Sequence, residues 1–225
     1  MKSAVVSGAS SGIGLACAKK LLKLDYMVYG ISRDFSKCTL KDDKFQEIVL
    51  DLQDAKEIKK LKIKNISLLI NSAGVGYFAP HQELGFDKIE QMIAVNLTAP
   101  ILLAKVFLKD LKLHHGYIFN INSISGIQPA LFGAAYGASK AGLKHFGTSL
   151  FKEARKSGLK VININPDITN TPFFDNLHFE PTDDSLTYIE PDDIADIIEN
   201  VLNLREGTVM SDITIEPQKF QVRKK

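Results

Sequence analysis

Short apolar runs alternate with helical stripes along nearly the whole chain. Ser3–Ser7 is apolar, brief, and ends in Gly8. Gly12–Leu24 then sets Ile13, Ala16, Cys17, Lys20, Leu21 and Leu24 at near-helical spacing. Met27–Ile31 is a second strand, closed by Ser32-Arg33-Asp34. Further strands are predicted at Phe45–Leu50, Leu68–Asn71, Tyr117–Ile121, Lys160–Asn165 and Ile213–Glu216. Helices are predicted between them at Asp54–Leu61, Phe86–Asn96, Ala99–Leu111 and Ala134–Ser157. A last helix, Pro191–Leu204, opens with proline in its first turn and carries Asp192 and Asp193 at its positive end.

Seven strands alternating with helices predict an α/β fold: a doubly wound, Rossmann-like parallel sheet with helices on both faces. No linker, repeat or low-complexity segment interrupts it, so residues 1–225 read as a single domain. Such sheets bind ligands at the carboxyl ends of their strands. The longest stretch without a clear element is Pro166–Glu190, which reads as a lid loop.

Composition narrows the function. The formal net charge is +2 over 225 residues, which gives no footprint for nucleic acid. The one dense basic cluster, Arg223-Lys224-Lys225, reads as a solvated terminus. Cys17 and Cys38 have neither metal spacing nor a disulfide framework, which points to a reducing compartment. His114 and His115 fall in a polar turn and form no ligand set, so no metal site is expected. The chain reaches Ser7-Gly8 too soon for a signal-peptide core, and no apolar run approaches the roughly 18 residues of a membrane span. The expectation is a soluble cytoplasmic protein with no membrane partner.

Gly8-Ala9-Ser10-Ser11-Gly12-Ile13-Gly14 joins the first strand to the first helix. Glycines let the backbone turn tightly against a pyrophosphate, and the helix N-terminus attracts the anion. The spacing is Gly-x-x-x-Gly-x-Gly. A glycine-rich loop without a ligand is the plainer alternative. With Ser7 in place of threonine, the segment resembles the Thr-Gly-x-x-x-Gly-Ile-Gly turn of the short-chain dehydrogenase/reductase family. Asp51-Leu52 and Asn71-Ser72-Ala73-Gly74 resemble two further family turns, after the third and fourth strands. The resemblance runs in order to about Thr171 and more weakly to Glu216. It implies cofactor contacts from Gly8, Ser10, Ser11, Gly12, Ile13, Gly14, Asp51, Leu52, Asn71, Ala73 and Gly74, with the Asp51 pair at the adenine.

Tyr136 and Lys140 stand i, i+4 on a predicted helix and share its face. Ser123 follows the fifth strand, and Asn96 ends the Phe86–Asn96 pattern. Order and spacing resemble the family's Asn–Ser–Tyr–Lys tetrad. The chemistry is coherent by itself. Hydride transfer at a carbonyl carbon needs a proton at the oxygen, and tyrosine is a poor base with a pKa of about 10. An ammonium at Lys140 favours the phenolate and would draw Tyr136 toward the working range. Ser123 can hydrogen-bond the substrate oxygen. The resemblance adds that Asn96 holds a water linking the lysine to solvent, and that Tyr136 and Lys140 also touch the cofactor. The plainer alternative is a packed tyrosine and a solvated lysine.

After the sixth strand the family has Pro-Gly-x-Val-x-Thr; here it is Pro166-Asp167-Ile168-Thr169-Asn170-Thr171. Pro166, Thr169 and Thr171 are carried over as cofactor contacts. Asp167 stands where the family has glycine, and could face the substrate cleft, the cofactor or solvent. At the ribose, an acid about twenty residues past the turn favours NAD, and Asp34 meets that count. The strand reading instead puts Ser32 and Arg33 there, which favours NADP, since arginine binds a phosphate through several donors. The expected activity is NADP(H)-dependent oxidoreduction of a small, neutral carbonyl or alcohol. Three alternatives stand beside it: a 3-hydroxy acid (serine- or threonine-like) dehydrogenase, a non-catalytic NAD(P)-binding regulatory protein, and a nucleotide-sugar epimerase. The last needs a C-terminal substrate domain for which 225 residues leave little room. The resemblance also implies a homodimer or homotetramer built on the Ala99–Leu111 and Ala134–Ser157 helices, where Leu143, Phe146, Leu150 and Phe151 add apolar surface.

Overall fold

The computed structural model describes residues 2–225. Its strands are β1 (Lys2–Ser7), β2 (Tyr26–Ser32), β3 (Phe45–Val49), β4 (Ile66–Asn71), β5 (Tyr117–Ile121), β6 (Lys160–Pro166), β7 (Phe179–Pro181), β8 (Asp212–Ile215) and β9 (Val222–Lys224). Its helices are α1 (Gly12–Lys23), α2 (Ala55–Lys60), α3 (Phe86–Ile93), α4 (Ala99–Leu113), α5 (Ala134–Ala154) and α6 (Pro191–Leu202). Seven strands form one parallel sheet in the order β3-β2-β1-β4-β5-β6-β8. The doubly wound, Rossmann-like expectation therefore holds, with the reversal of strand order falling between β1 and β4.

The period-two alternation of each strand decides what it faces. Ala4, Val6, Leu68, Ile70, Phe119, Ile162 and Ile164 pack with Ala16, Leu21, Ile194 and Ile198 of α1 and α6. The intervening Val5, Leu69, Ile118 and Val161 pack with Leu103, Phe107, Leu111 and Leu150 of α4 and α5. Because both faces are covered, the inner strands are apolar at consecutive positions. Each such fully buried side chain contributes roughly 1.5–3 kcal/mol.

Most element boundaries differ from the expectation by a residue or two, and α5 ends three residues earlier than expected, with a 3-10 turn over Arg155–Ser157. Asp54 lies outside α2 because it caps it, accepting from the Lys56 and Glu57 amides. Two differences are larger. Asn96 does not end a helix: α3 continues through a π-helical turn, Ala94–Thr98, into α4. Pro100 has no N–H to give the Asn96 carbonyl and would crowd it in a regular α-helix, and the wider turn absorbs that conflict. The fused Phe86–Leu113 helix is also long and apolar enough to cross a membrane by length and composition, contrary to the expectation that no segment is. Its apolar residues Met92, Ala99, Leu103, Phe107 and Leu111 are buried inside the fold.

The second difference lies in Pro166–Glu190, which is not without elements. It holds 3-10 turns at Pro172–Phe174 and Ser185–Thr187, and β7, which pairs antiparallel with β9. The basic cluster is exposed, as expected of a solvated terminus, but it is not free. Arg223 and Lys224 lie in β9, and Arg223 and Lys225 pair with lid carboxylates.

Three asparagines stand in register across the middle of the sheet, Asn71 beside Asn120 and Asn120 beside Asn163. Asn71 donates to Asn120 at 2.9 Å and Asn120 to Asn163 at 3.3 Å. Asn163 in turn donates to the Lys144 carbonyl of α5 at 3.2 Å. A buried polar row is stabilising only while its members are paired. Asn120→Ala should therefore lower the unfolding free energy in urea by about 2–3 kcal/mol, since it opens space and orphans the Asn71 amide. A loss of a few tenths would mean the row carries no such role.

Candidate active site

A cavity of about 980 Å3 opens at the carboxyl ends of the strands, across the β1–β4 switch. Of the residues expected in the site, it is lined by Gly8, Ser11, Gly12, Ile13, Gly14, Arg33, Ala73, Gly74, Ser123, Tyr136, Lys140, Pro166, Thr169 and Thr171. Ser10, Ser32, Asp51, Leu52, Asn71 and Asn96 stand outside its wall. The reasons differ. Ser10 and Ser32 share a hydrogen bond at 2.8 Å just behind Arg33. Asn71 is spent on the asparagine row, and Leu52 is core. Asp51 turns back to accept from the Gln53 amide at 2.9 Å.

At the phosphate end the backbone leaves no room for side chains. Gly8 has φ +71, and a Cβ there would meet the Ala73 backbone at 2.9 Å. A Cβ on Gly14 would come within 2.2 Å of the Gly8 carbonyl. Ser7 holds this turn against the β4 turn, accepting from the Ser72 and Ala73 amides at 3.1 and 3.2 Å. The start of α1 is left open. Ser11 makes no side-chain capping bond and no acid stands in the first turn. By contrast, Asp54 caps α2 and a Glu190–Asp193 capping box closes α6. The free N–H groups and positive end of α1 thus face the cavity, which fits a bound phosphate.

After β2, Asp34 and Arg33 differ in what they face. Asp34 accepts from the Ser36 amide at 2.7 Å and its hydroxyl at 2.8 Å, and these bonds hold its pKa down. It does not line the cavity. Arg33 does, is exposed, and among the described residues has no carboxylate within ion-pair distance.

The tetrad residues converge at the other end. Lys140 is buried and donates to the Ile121 carbonyl at 2.9 Å, with its Nζ 5.9 Å from the Tyr136 ring centre. Asn96 is fully buried; its side chain bonds Val75 N and O at 2.9 and 2.8 Å and Ser139 at 3.1 Å. It thereby fixes the turn beside the lysine. Burial pushes Tyr136 up to about 12, with the Ser123 hydroxyl acting the other way, and pushes Lys140 down to about 8. The sequence expectation was a tyrosine lowered by its lysine. Desolvation outweighs that attraction here, because the lysine is itself desolvated and turned to Ile121.

Aromatic side chains cover the tyrosine. Phe78 lies 5.2 Å and Phe173 5.8 Å from its ring, centre to centre, and Phe174 and Phe179 continue the cluster. The lid phenylalanines do reach the cleft. Phe173 fits because a Cβ on Gly76 would strike its ring at 2.3 Å. Sequence reasoning missed Phe78, Tyr77, Gln91, Gln128, Glu216 and Phe220, all of which line the cavity. Tyr77 donates to Gln91 at 2.7 Å. For all but Gln91, which lies in α3, the only signal was position after a strand end. Asp167 faces the cavity, half-buried, and burial and the nearby Glu216 raise its pKa. Among the described residues no trio of histidine, cysteine or acid could hold a metal.

Fold and cavity together define a dinucleotide-binding oxidoreductase of the doubly wound class. Within it, the chain belongs to the short-chain dehydrogenase/reductase family, whose model, described as short chain dehydrogenase, matches residues 2–181. An uncharacterized oxidoreductase of Staphylococcus aureus strain MRSA252 is 30% identical over 228 residues, covering 96% of this chain and 97% of its own. An alcohol dehydrogenase of the archaeon Thermococcus sibiricus, complexed with 5-hydroxy-NADP, shares the fold with TM-score 0.88 at 22% identity, covering 98% and 99%. A metagenomic short-chain oxidoreductase in complex with NADP is 31% identical with TM-score 0.80, covering 96% of each chain. A 4-hydroxyisoleucine dehydrogenase complexed with NADH is 26% identical with TM-score 0.82, covering 96% and 98%.

Proposed function

We propose that the protein transfers a hydride between NADP(H) and a small neutral carbonyl or alcohol, with Tyr136 moving the proton. The observation that carries this reading is one continuous cavity joining the open N-terminus of α1 to the buried Tyr136–Lys140 pair. The glycine cradle fits a pyrophosphate, and the bound nicotinamide would supply or accept the hydride. Gly8, Ser11, Gly12, Ile13 and Gly14 would hold the phosphates, and Ala73, Gly74, Pro166, Thr169 and Thr171 the nicotinamide half. The Ser123 hydroxyl orients the substrate oxygen. Tyr136, protonated at neutral pH and held so more firmly by burial, gives its proton to that oxygen in the reductive direction. Lys140, still mostly charged at neutral pH, stabilises the phenolate left behind. Asn96 positions the turn against which the lysine rests.

Substrate charge follows from the cavity wall. Among the described residues its only cations are Arg33 and Lys140, both assigned above, while Asp167 and Glu216 stand in the same wall. A carboxylate or phosphate substrate finds no partner, and the aromatic cluster favours an apolar carbonyl. A hydroxy acid reading keeps one support, the likeness to 4-hydroxyisoleucine dehydrogenase, whose named substrate bears its hydroxyl at C4 and not at C3. NADPH oxidation against neutral ketones and aldehydes, with serine and 3-hydroxybutyrate oxidation alongside, separates the two. Faster turnover of the acids would overturn the neutral-substrate reading.

Arg33 carries the preference for NADP over NAD. Arg33→Ala should weaken NADPH binding about 10- to 100-fold, the worth of one charge-assisted contact, and leave NADH binding unchanged. Equal dissociation constants for the two cofactors in the native protein would contradict it. The assembly we propose is a homodimer or homotetramer through α4 and α5. Leu143 and Leu150 are buried within the subunit, which leaves half-buried Phe146 and Phe151 to the contact. Two free, buried cysteines suit a reducing cytoplasm.

A further inference from the structure

The lid and the segment after β8 form one charged assembly. Residues 166–190 contain six acids and no lysine or arginine. All of the countercharge comes from Lys219, Arg223 and Lys225. The Arg223 fork gives Glu180 two bonds, at 2.9 and 2.7 Å, and Asp183 one at 2.9 Å. Lys225 donates to the Phe174 and Asp175 carbonyls at 2.6 and 3.2 Å. Lys219 meets Asp184 at 3.0 Å. The backbone adds the β7–β9 pairing, and a bond at 3.0 Å from the Lys225 amide to the His178 carbonyl.

This segment also touches the cavity. Glu216, Pro217, Gln218 and Phe220 line its mouth, and Phe220 remains 78% exposed there. The lid residues it holds, Phe174 and Phe179, are the outer half of the aromatic cluster over Tyr136. A two-stranded ribbon is marginal alone. Exposed ion pairs are individually weak and screened by salt. Such a closure is built to open.

We propose that residues 217–225 are a working part of the substrate site: a basic latch holding the acidic lid over Tyr136, with Phe220 meeting the distal part of the substrate. The role of Phe220 rests on the carbonyl/alcohol reading; the latch does not. Of residues 219–225 only Phe220 lines the cavity, and Lys219, Arg223 and Lys225 pair with the lid, so the latch governs lid opening and substrate size, not cofactor affinity.

Amide hydrogen exchange on the NADPH-bound full chain tests it. In the native protein, exchange across residues 173–190 should quicken between about 0.05 and 0.5 M NaCl. Arg223→Glu, which sets a further acid against Glu180 and Asp183, should quicken it by about tenfold at low salt and weaken or reverse the salt dependence. Arg223→Lys, which keeps the charge, should fall between them. NADPH affinity and exchange in β1 and β4 should not change. Unchanged lid exchange in Arg223→Glu, or loosening of lid and sheet together, overturns the latch. Phe220→Ala should raise KM for acetophenone about three- to tenfold more than for butan-2-one. Equal effects on both ketones overturn the role of Phe220. A loosened lid in a protein that reduces neither ketone would sink the proposed activity and leave the latch standing.

Discussion

Tyr136→Phe should reduce turnover by about 10²–10⁴-fold, the range in which a positioned general acid contributes, while NADPH still binds. The hydroxyl is the only atom group removed. The ring keeps its place between Phe78 and Phe173, so packing is nearly conserved. The lost hydroxyl was desolvated, which offsets its hydrogen bond with Ser123, so the variant should fold about as well as the native protein. Steady-state rates with a verified ketone, together with NADPH fluorescence titration, separate chemistry from binding. Turnover within a fewfold of native would show that another group delivers the proton.

Lys140→Met should be inactive yet more stable than the native protein at neutral pH. Burial lowers Lys140 from 10.5 to about 8 in the folded state. A depressed lysine disfavours folding wherever the unfolded chain holds the proton more tightly. Folding therefore gains stability as pH rises from about 8 to 10.5, and carries the full cost below that window. The cost is roughly 3 kcal/mol. Loss of the bond to the Ile121 carbonyl returns about 1–2 kcal/mol of it. The expected net gain is about 1–2 kcal/mol at pH 7, shrinking from about pH 8 as the native lysine discharges and gone by about pH 10.5. Urea unfolding at pH 7 and at about pH 10.5 reads it. A variant less stable than native at pH 7 would mean that the ammonium is better satisfied than its surroundings indicate. An active site that is costly to fold is a familiar trade of stability for function.

Local signals made most of this legible. Alternation and helical stripes are properties of contiguous residues, so all seven sheet strands could be placed from them. The glycine turn and the Tyr136–Lys140 spacing are local as well, and the structure brings both to one cavity. What escaped depends on residues far apart. The β7–β9 ribbon joins Glu180 to Arg223, and neither three-residue strand is long enough to show a period. The asparagine row needs the register of three strands, which no single segment announces. The π-turn at Asn96 was hidden because helical spacing continues through it; Pro100 was the available sign. Leu52 and Asn71 were carried over by likeness, and their side chains turned out to be held by the core and the asparagine row. The tyrosine's raised pKa follows from burial by Phe78 and Phe173, and burial is a tertiary fact.

Transfer of deuterium from the nicotinamide C4 position to a ketone tests the central claim most directly. NADPH deuterated at C4 is incubated with native protein and a panel of neutral ketones and aldehydes, and the products are read by mass spectrometry. The account predicts at least one alcohol carrying a single deuterium at the carbinol carbon, abolished in Tyr136→Phe under conditions where NADPH remains bound. Labelled alcohol formed equally well by Tyr136→Phe, or a protein that binds NADPH and labels none of the panel, would contradict it.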